Sequence, residues 1–372
     1  MEKVKKHSTR DGYIMVFTLL VIAASMVIVA YVGRRGSVHA PFMRMVIEKE
    51  KAKLLVVSGV QIAIAQLAKP PGKEEKQQEK ADPDPKVNAP KALSGEDKES
   101  KEFLQRILPT LNKWQKFDLV EAIDGIDAQI SICLMCEEGK INLNRLYNFK
   151  KETFRGDKEK GWKAVLQELC KNIEKFAKVT DIFPVFEKIF KERRSKFNDA
   201  TELITKKEFQ PFKDFLFYEP PLTNKDKKEK KQSSIYLTDI FTVWSSSGKI
   251  EPWLLSHSLA IILGLEQAEK ENDLKQRTEH VDGWLKNFKQ KSNWSTDWKT
   301  TLQPMYGKEL RTLPKNIDSM LSTTFDPHFF SVRVRAQVGE VAQQVYAILE
   351  RTKYGQGNEI EYDIAIKKLY WL

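Results

Sequence analysis

From Tyr13 to Val32 (YIMVFTLLVIAASMVIVAYV) the chain runs for twenty residues without a charge, with Arg10-Asp11-Gly12 before it and Gly33-Arg34-Arg35 after it. A helix needs about 20 apolar residues to cross a bilayer. Only a helix crosses in one pass, because lipid offers no partner to backbone N–H and C=O groups. Lys3, Lys5, Lys6 and Arg10 form a basic leader of the kind that stays on the cytoplasmic side. Arg34, Arg35 and Arg44 follow the span, so charge alone sets its orientation only weakly.

Three processing fates fit such an opening. A secretory signal peptide has a shorter apolar core and a small-residue cleavage site; here the core is too long, and Pro41 follows the one candidate, Val38-His39-Ala40. An uncut signal anchor fits better. The third fate is a type IV pilin-like leader, a short basic peptide ending in glycine directly before an apolar helix, and Gly12-Tyr13 has that arrangement. Glycine leaves the backbone open to a peptidase, since no side chain blocks approach. Most pilin-like subunits carry Glu at the fifth residue after the cut, a costly charge in a bilayer. Here that position is Phe17.

The chain has 372 residues, 30% of them charged, and a formal net charge of +11. That length suffices for two compact domains beyond the apolar span. The lysines are spread along the chain among glutamates, with no basic stripe interleaved with aromatics, so no nucleic-acid partner is expected. A lysine-rich proteome bias accounts for this charge, and an anionic membrane surface would also tolerate it. Cys133 and Cys136 lie three apart on a strand-like run and so face opposite ways, which favours buried thiols over a disulfide or a shared metal; Cys170 stands apart.

Val46, Leu54, Val57, Ile62, Ile64 and Leu67 continue the span as an amphipathic helix. Gly33, Gly36 and Pro41 predict a kink or short break in it. Residues 70–102 are charged and nearly free of large apolar side chains, and read as a disordered linker. Deleting Lys73 to Glu99 is therefore expected to leave the folded part intact. Phe103 to Trp114 reads as a helix, Phe117 to Ile123 and Gln129 to Cys136 as strands, and Glu137-Glu138-Gly139-Lys140 as a turn. Helical spacing dominates from about Lys160 to Thr324, with apolar faces at Trp162 to Phe176 and Phe183 to Phe190. The lysine run 225–231 reads as a solvated loop, and Trp253 to Leu265 as one buried helix. Phe330, Val332, Val334, Ala336 and Val338 alternate with Ser331, Arg333, Arg335 and Gln337, a strand with one buried and one wet face. Gly339 turns it into Val345 to Leu349. A further turn at 354–358 leads to a last strand, Ile360 to Trp371.

Three of these segments carry a resemblance. Glu138-Gly139-Lys140-Ile141-Asn142-Leu143-Asn144 resembles the Gly-Arg/Lys-Ile-Asn-Leu-Asn segment of minor pseudopilin K, the general secretion pathway protein K of type II secretion systems. Leu237-Thr238-Asp239-Ile240-Phe241-Thr242-Val243-Trp244 with Gly248-Lys249-Ile250 is similar to that family's Asp-Leu-Phe-Thr-Val-Tyr…Gly-Lys-Ile block. Phe329 to Ala336, Ala347 to Arg351 and Tyr370-Trp371 resemble its C-terminal strands, and Asn198 to Leu203 (NDATEL) a weaker fourth segment. Members characteristically lack the fifth-position Glu, so Phe17 fits. Where many relatives continue Ile-Asn-Leu-Asn-Thr-Ala, this chain has Ile250-Glu251-Pro252-Trp253.

The resemblance implies an α+β fold: a long N-terminal transmembrane, pilin-like helix and an antiparallel-sheet domain with an inserted all-helical domain. The implied parts are a leader at 1–12, a helix at 13–69, the linker at 70–102, the first part of the pilin-like domain at 103–150, the insertion at 151–325 and C-terminal strands at 326–372. It implies cleavage by prepilin peptidase after Gly12, methylation at Tyr13, and a structural role at the tip of a pseudopilus that serves protein export across the outer membrane. The implied partners are other minor pseudopilins, the pseudopilus and the inner-membrane secretion platform. The implied place is the inner membrane, single-pass, with the C-terminal bulk in the periplasm. Calcium is found in some members, but no ligand set is assignable here, and Asp239 reads as a helix or turn cap. No hydrolase elbow, phosphate loop, dinucleotide fingerprint or His-rich metal motif is present, so the chain is not expected to be an enzyme. Ser256-His257-Ser258 reads as part of an apolar helix. The competing reading is an uncut bitopic inner-membrane protein with a periplasmic sensing or binding domain.

Overall fold

The computed structural model describes residues 10–68, 95–156, 161–180, 182–220, 235–265, 274–354 and 361–372. One helix, α1 (Arg10–Ala68), takes in the apolar span and its amphipathic continuation. Where a kink or short break is expected at Gly33, Gly36 and Pro41, the helix is not broken. Nothing packs within 4 Å of a side chain built at either glycine, and long helix-forming runs on both sides carry the helix through Pro41. The two halves of α1 differ. Side chains from Val16 to Val32 stand exposed, from 47% at Val21 to 70% at Val29. Farther along, Ala52, Val56, Val60, Ala63 and Leu67 are buried, at the spacing of one helical face.

That face lies on an antiparallel five-stranded sheet of order β1-β2-β7-β8-β9. Its strands are β1 (Trp114–Leu119), β2 (Ala128–Cys136), β7 (Phe329–Val338), β8 (Val341–Tyr354) and β9 (Glu361–Trp371). Gly59 sits where a Cβ would stand 2.4 Å from Val334 Cγ1, so only glycine lets the helix approach the sheet this closely. Fully burying each Val or Leu of the helix face stabilises by about 1.5–3 kcal/mol, and this contact anchors the half of α1 that the apolar span does not need. A two-residue loop, Gly339-Glu340, joins β7 to β8 in register Val338↔Val341. The turn expected at 354–358 lies, beyond Tyr354, outside the described residues, as does the lysine run.

Helix α2 (Gly95–Ile107) begins inside the stretch 70–102 expected to be linker. Its polar first half is held by tertiary contacts rather than by apolar burial. Gln290 N–H donates to Asp97 at 2.8 Å, and Glu99 pairs with Lys353 at 3.0 Å. A deletion running to Glu99 would therefore cut into packed structure; residues 69–94 themselves lie outside the described residues. The chain also leaves the strand after Leu119 for a short turn of helix, α3 (Glu121–Asp124), where a strand to Ile123 is expected.

Between β2 and β7 the chain is mostly helical. Helices α4 (Leu143–Leu146), α5 (Trp162–Ala177), α6 (Ile182–Glu192), α7 (Leu237–Ile240) and α8 (His257–Ile262) are joined by 3₁₀ turns and further short helices up to Met320. Two pairs of two-residue strands interrupt them. β3 (Ile141–Asn142) runs parallel to β6 (Phe241–Thr242), and β4 (Tyr147–Asn148) antiparallel to β5 (Thr153–Phe154). Residues 141–148 thus pair within this block, and the chain leaves the main sheet at Cys136. The expected single helix from Trp253 to Leu265 is two pieces, a 3₁₀ turn at Pro252–Leu254 and then α8, because Ser256 stops one and caps the other. The architecture is α+β, a long apolar N-terminal helix with an antiparallel sheet and added helices.

Candidate functional site

The three segments that carry the resemblance, far apart in the chain, meet in one buried junction where β2 hands over to the helical block. Gly139 is its tightest point. A Cβ there would lie 1.8 Å from Leu254 O and 2.6 Å from Leu254 C, so no side chain fits. Backbone bonds close the seam on both sides of it: Glu251 N–H donates to Glu138 O at 2.8 Å, and Ser256 N–H to Gly139 O at 3.1 Å. The parallel pair Ile141↔Phe241 and Asn142↔Thr242 then joins the first segment to the second. Gly248 packs beside Arg145, with a Cβ 3.3 Å from the Arg145 Cβ.

Each asparagine of the first segment ties two pieces of backbone. The Asn142 side chain accepts from Asn144 N–H at 2.9 Å, capping α4, and donates to Ser245 O at 3.1 Å. Asn144 donates to Phe197 O at 2.8 Å and accepts from Phe197 N–H at 2.7 Å. Leu143 and Ile141 are buried beside them. Asn198 to Leu203 follows directly, where Asp199 and Glu202 form a capping box.

The turn 137–140 carries three charges, and all three are buried: Glu137 is 2% exposed, Glu138 3% and Lys140 1%. Lys140 is ion-paired with Glu137 and donates to Ser331 Oγ at 3.4 Å and to Tyr346 Oη at 3.3 Å. Thr242 donates to the other Glu137 oxygen. Burial works to lower the Lys140 pKa, but attraction to Glu137, then to Tyr346 and Asp239, outweighs it and holds it above the ordinary lysine value. Glu138 reaches the third segment. Its carboxyl accepts from His328 N–H at 3.1 Å and Phe329 N–H at 3.0 Å. Burial pushes this carboxyl up to about 7, against the opposing pull of those N–H groups. Glu251, nearby, is also raised by burial.

Asp239 is a cap, as expected, but of the following helix. Its Oδ2 accepts from Ser258 N–H at 2.6 Å at the start of α8, and Ser256 donates to its backbone carbonyl. Ser258 Oγ accepts from Tyr236 N–H at 3.0 Å. Ser256 and Ser258 thus join α8 to its surroundings, while the His257 ring lies 4.9 Å from Tyr218. Phe241 packs at 5.1 Å on Phe186 of α6. Among the described residues no group of three His, Cys, Asp or Glu side chains is arranged to hold a metal. The three cysteines are free and buried; Cys133 and Cys136 lie in separate apolar clusters on opposite faces of the sheet. Burial raises both thiols far above the range in which a thiolate forms.

The wet face expected on β7 is dry over part of its length. Ser331 is fully buried and Arg333 is 7% exposed. A strap of backbone at 217–220 covers them: Arg333 donates to Phe217 O and Tyr218 O, both at 3.0 Å, and pairs with Glu219 at 3.0 Å. Strand alternation could not reveal this cover, nor the burial of Lys140. The available signal was chemical: a run as charged as Glu-Glu-Gly-Lys set between two apolar strands. Gly12, Tyr13 and Phe17 stand apart from the junction, at the far end of α1, where the Phe17 side chain is 64% exposed. Among the described residues α1 is one helix long and apolar enough to cross a membrane.

No family model matches the chain, and no curated protein does. Among solved structures, a chain of the GspK–GspI–GspJ complex of the type 2 secretion system from enterotoxigenic Escherichia coli is similar at 13% identity. The match covers 73% of this chain and 92% of that one, with a TM-score of 0.35. So slight a likeness assigns no family.

Proposed function

We propose that this protein is a minor pseudopilin of a type II secretion system, a structural subunit at the tip of a periplasmic pseudopilus. One observation carries the reading: of the segments picked out by their resemblance to a single family, 138–144 pairs with 237–250 through Ile141↔Phe241 and Asn142↔Thr242 and reaches 329–336 through the bond from Phe329 N–H to Glu138. Segments matched by accident have no reason to meet. The exposed apolar half of α1 agrees with it, since such a surface in water is driven to bury itself in lipid or against other apolar helices.

In this reading prepilin peptidase cuts after Gly12 and Tyr13 becomes the methylated N-terminus. The cut removes Lys3, Lys5, Lys6 and Arg10, the charges that hold the rod at the membrane face. Gly12 lies in the first turn of α1, and with no side chain it leaves the backbone open to a peptidase. The freed rod then exchanges lipid for the helices of neighbouring subunits. With Phe17 in place of the charged fifth residue, the subunit has no carboxylate to pair with the terminus of one ahead of it, and the helical block adds bulk above. Both features suit the tip. Mass spectrometry of the mature protein tests the reading: a chain starting at N-methyl-Tyr13 supports it, and an intact Met1 in a permanent anchor supports the bitopic sensing or binding protein instead.

A further inference from the structure

Arg351, on β8, is a buried residue, and among the described residues no carboxylate pairs with it. The residue is 8% exposed. Its Nε donates to Leu67 O at 3.2 Å, near the C-terminal end of α1, where positive charge suits the helix dipole. Its Cζ lies 4.2 Å from the Phe103 ring centre and 3.3 Å from that of Tyr362. Among the described residues, its two terminal nitrogens have no protein acceptor. The nearby acids are engaged elsewhere. Glu99 pairs with Lys353 at 3.0 Å and accepts from the Tyr362 hydroxyl; Asp326 pairs with His328 at 3.0 Å. Arg106, on α2, adds like charge: burial, then Arg106, lowers the Arg351 pKa to about 9.

Arg351, Glu99, Asp326, His328, Lys353 and Ser100 of α2 line a cavity of about 50 Å³. Three of its titratable groups are cationic (His328, Arg351, Lys353) and two anionic (Glu99, Asp326), leaving one positive charge unbalanced. Asp326 holds His328 protonated, with its pKa at about 9. Arg351 lines this cavity, and donors there that water otherwise satisfies can be taken up by an acceptor seated in it.

We propose that this cavity is a binding site for a single carboxylate group, received by the terminal nitrogens of Arg351. A planar carboxylate meets a guanidinium through two parallel N–H···O bonds. A single water needs roughly 10–15 Å³ of space of this kind, so the cavity admits a group of a few heavy atoms such as acetate. The carboxylate comes either from a small free acid or from an acidic side chain of a polypeptide. The inference stands apart from the secretion reading and survives its failure.

The test is an NMR titration of the full-length chain in detergent micelles with ¹³C-acetate, in competition with the peptide acetyl-Ala-Glu-Ala-amide and with sulfate at matched ionic strength. Saturable acetate binding is expected, weakened at least tenfold by Arg351→Lys and by Ser100→Phe. The second variant fills the cavity without touching Arg351 or its contact with α1, so it decides the matter where Arg351→Lys disturbs folding. Displacement by the peptide assigns a polypeptide source and its failure a free acid, each in support. Absence of saturation, equal binding of sulfate, or unchanged binding in Ser100→Phe overturns the site.

Discussion

The first half of α1 and the turn at 137–140 break the rule of apolar inside, charged outside in opposite directions. From Val16 to Val32 large apolar side chains stand in the open; at Glu137, Glu138 and Lys140 charges are sealed inside. The rod is unfinished by itself, because nothing among the described residues covers it, and so it demands an environment. The junction is complete: most of its polar atoms are answered by another segment, and it demands only that the chain fold correctly. In this protein exposure of the wrong kind marks a surface for others, and burial of the wrong kind marks a seam.

The comparison can be broken at either end, and the largest effect is expected at the rod. Gly12→Val should abolish leader cleavage, leaving the full-length chain as the only species on a mass spectrum; normal processing would remove the leader reading. Gly139→Ala comes next, because its methyl group must displace the Leu254 carbonyl. A loss of about 3 kcal/mol or more is expected in denaturant titration, and a wild-type midpoint would show that the seam is looser than drawn. Lys140→Met strands Glu137 in the interior and should cost about 3–5 kcal/mol. Adding Glu137→Gln to it should recover much of that loss, since both charges are then gone.

The pH response sharpens the contrast further. The folded pKa of Glu138, about 7, lies above its unfolded value of about 4.3. Its contribution is present in full below that unfolded value and is lost as pH rises through about 7. A span of that size corresponds to something on the order of 3 kcal/mol. His328, raised toward 9 by Asp326, acts in the same direction at higher pH, its contribution fading as pH climbs through that value. Thermal midpoints should therefore fall from pH 5 to pH 8, and Glu138→Gln should flatten the fall; an equal slope in that variant would remove Glu138 as the cause. Gly248→Ala should do least, below about 1 kcal/mol, because the approach to the Arg145 Cβ, 3.3 Å, asks the two to part by only a few tenths of an ångström.

Local pattern made much of this fold legible. The apolar faces of α5 and α6 follow helical spacing, and β7 follows a period of two, so elements were readable wherever one side chain in two or in three to four faces a core. The opposite orientation of Cys133 and Cys136 was readable for the same reason. What local pattern missed depends on partners distant in sequence. Arg333 reads as solvent-facing until the strap at 217–220 covers it. Asp97 and Glu99 read as linker until the loop at Gln290 and strand β8 receive them. Glycines told little by identity alone: Gly33 and Gly36 promised a break and sit in continuous helix, whereas Gly139 proved indispensable.

By itself the order of residues determined that the chain owns a membrane-length rod, because twenty uncharged neighbours keep their apolar character in any conformation. It determined the periodic elements too, for periodicity is a property of adjacent positions. Tertiary structure alone decided that Glu137 and Lys140 are sealed together, that Gly139 lies beneath the Leu254 carbonyl, and that Arg351 is left without an acid. Those outcomes depend on which backbone and which charge arrive from a hundred or more residues away, and desolvation acts only once they have arrived.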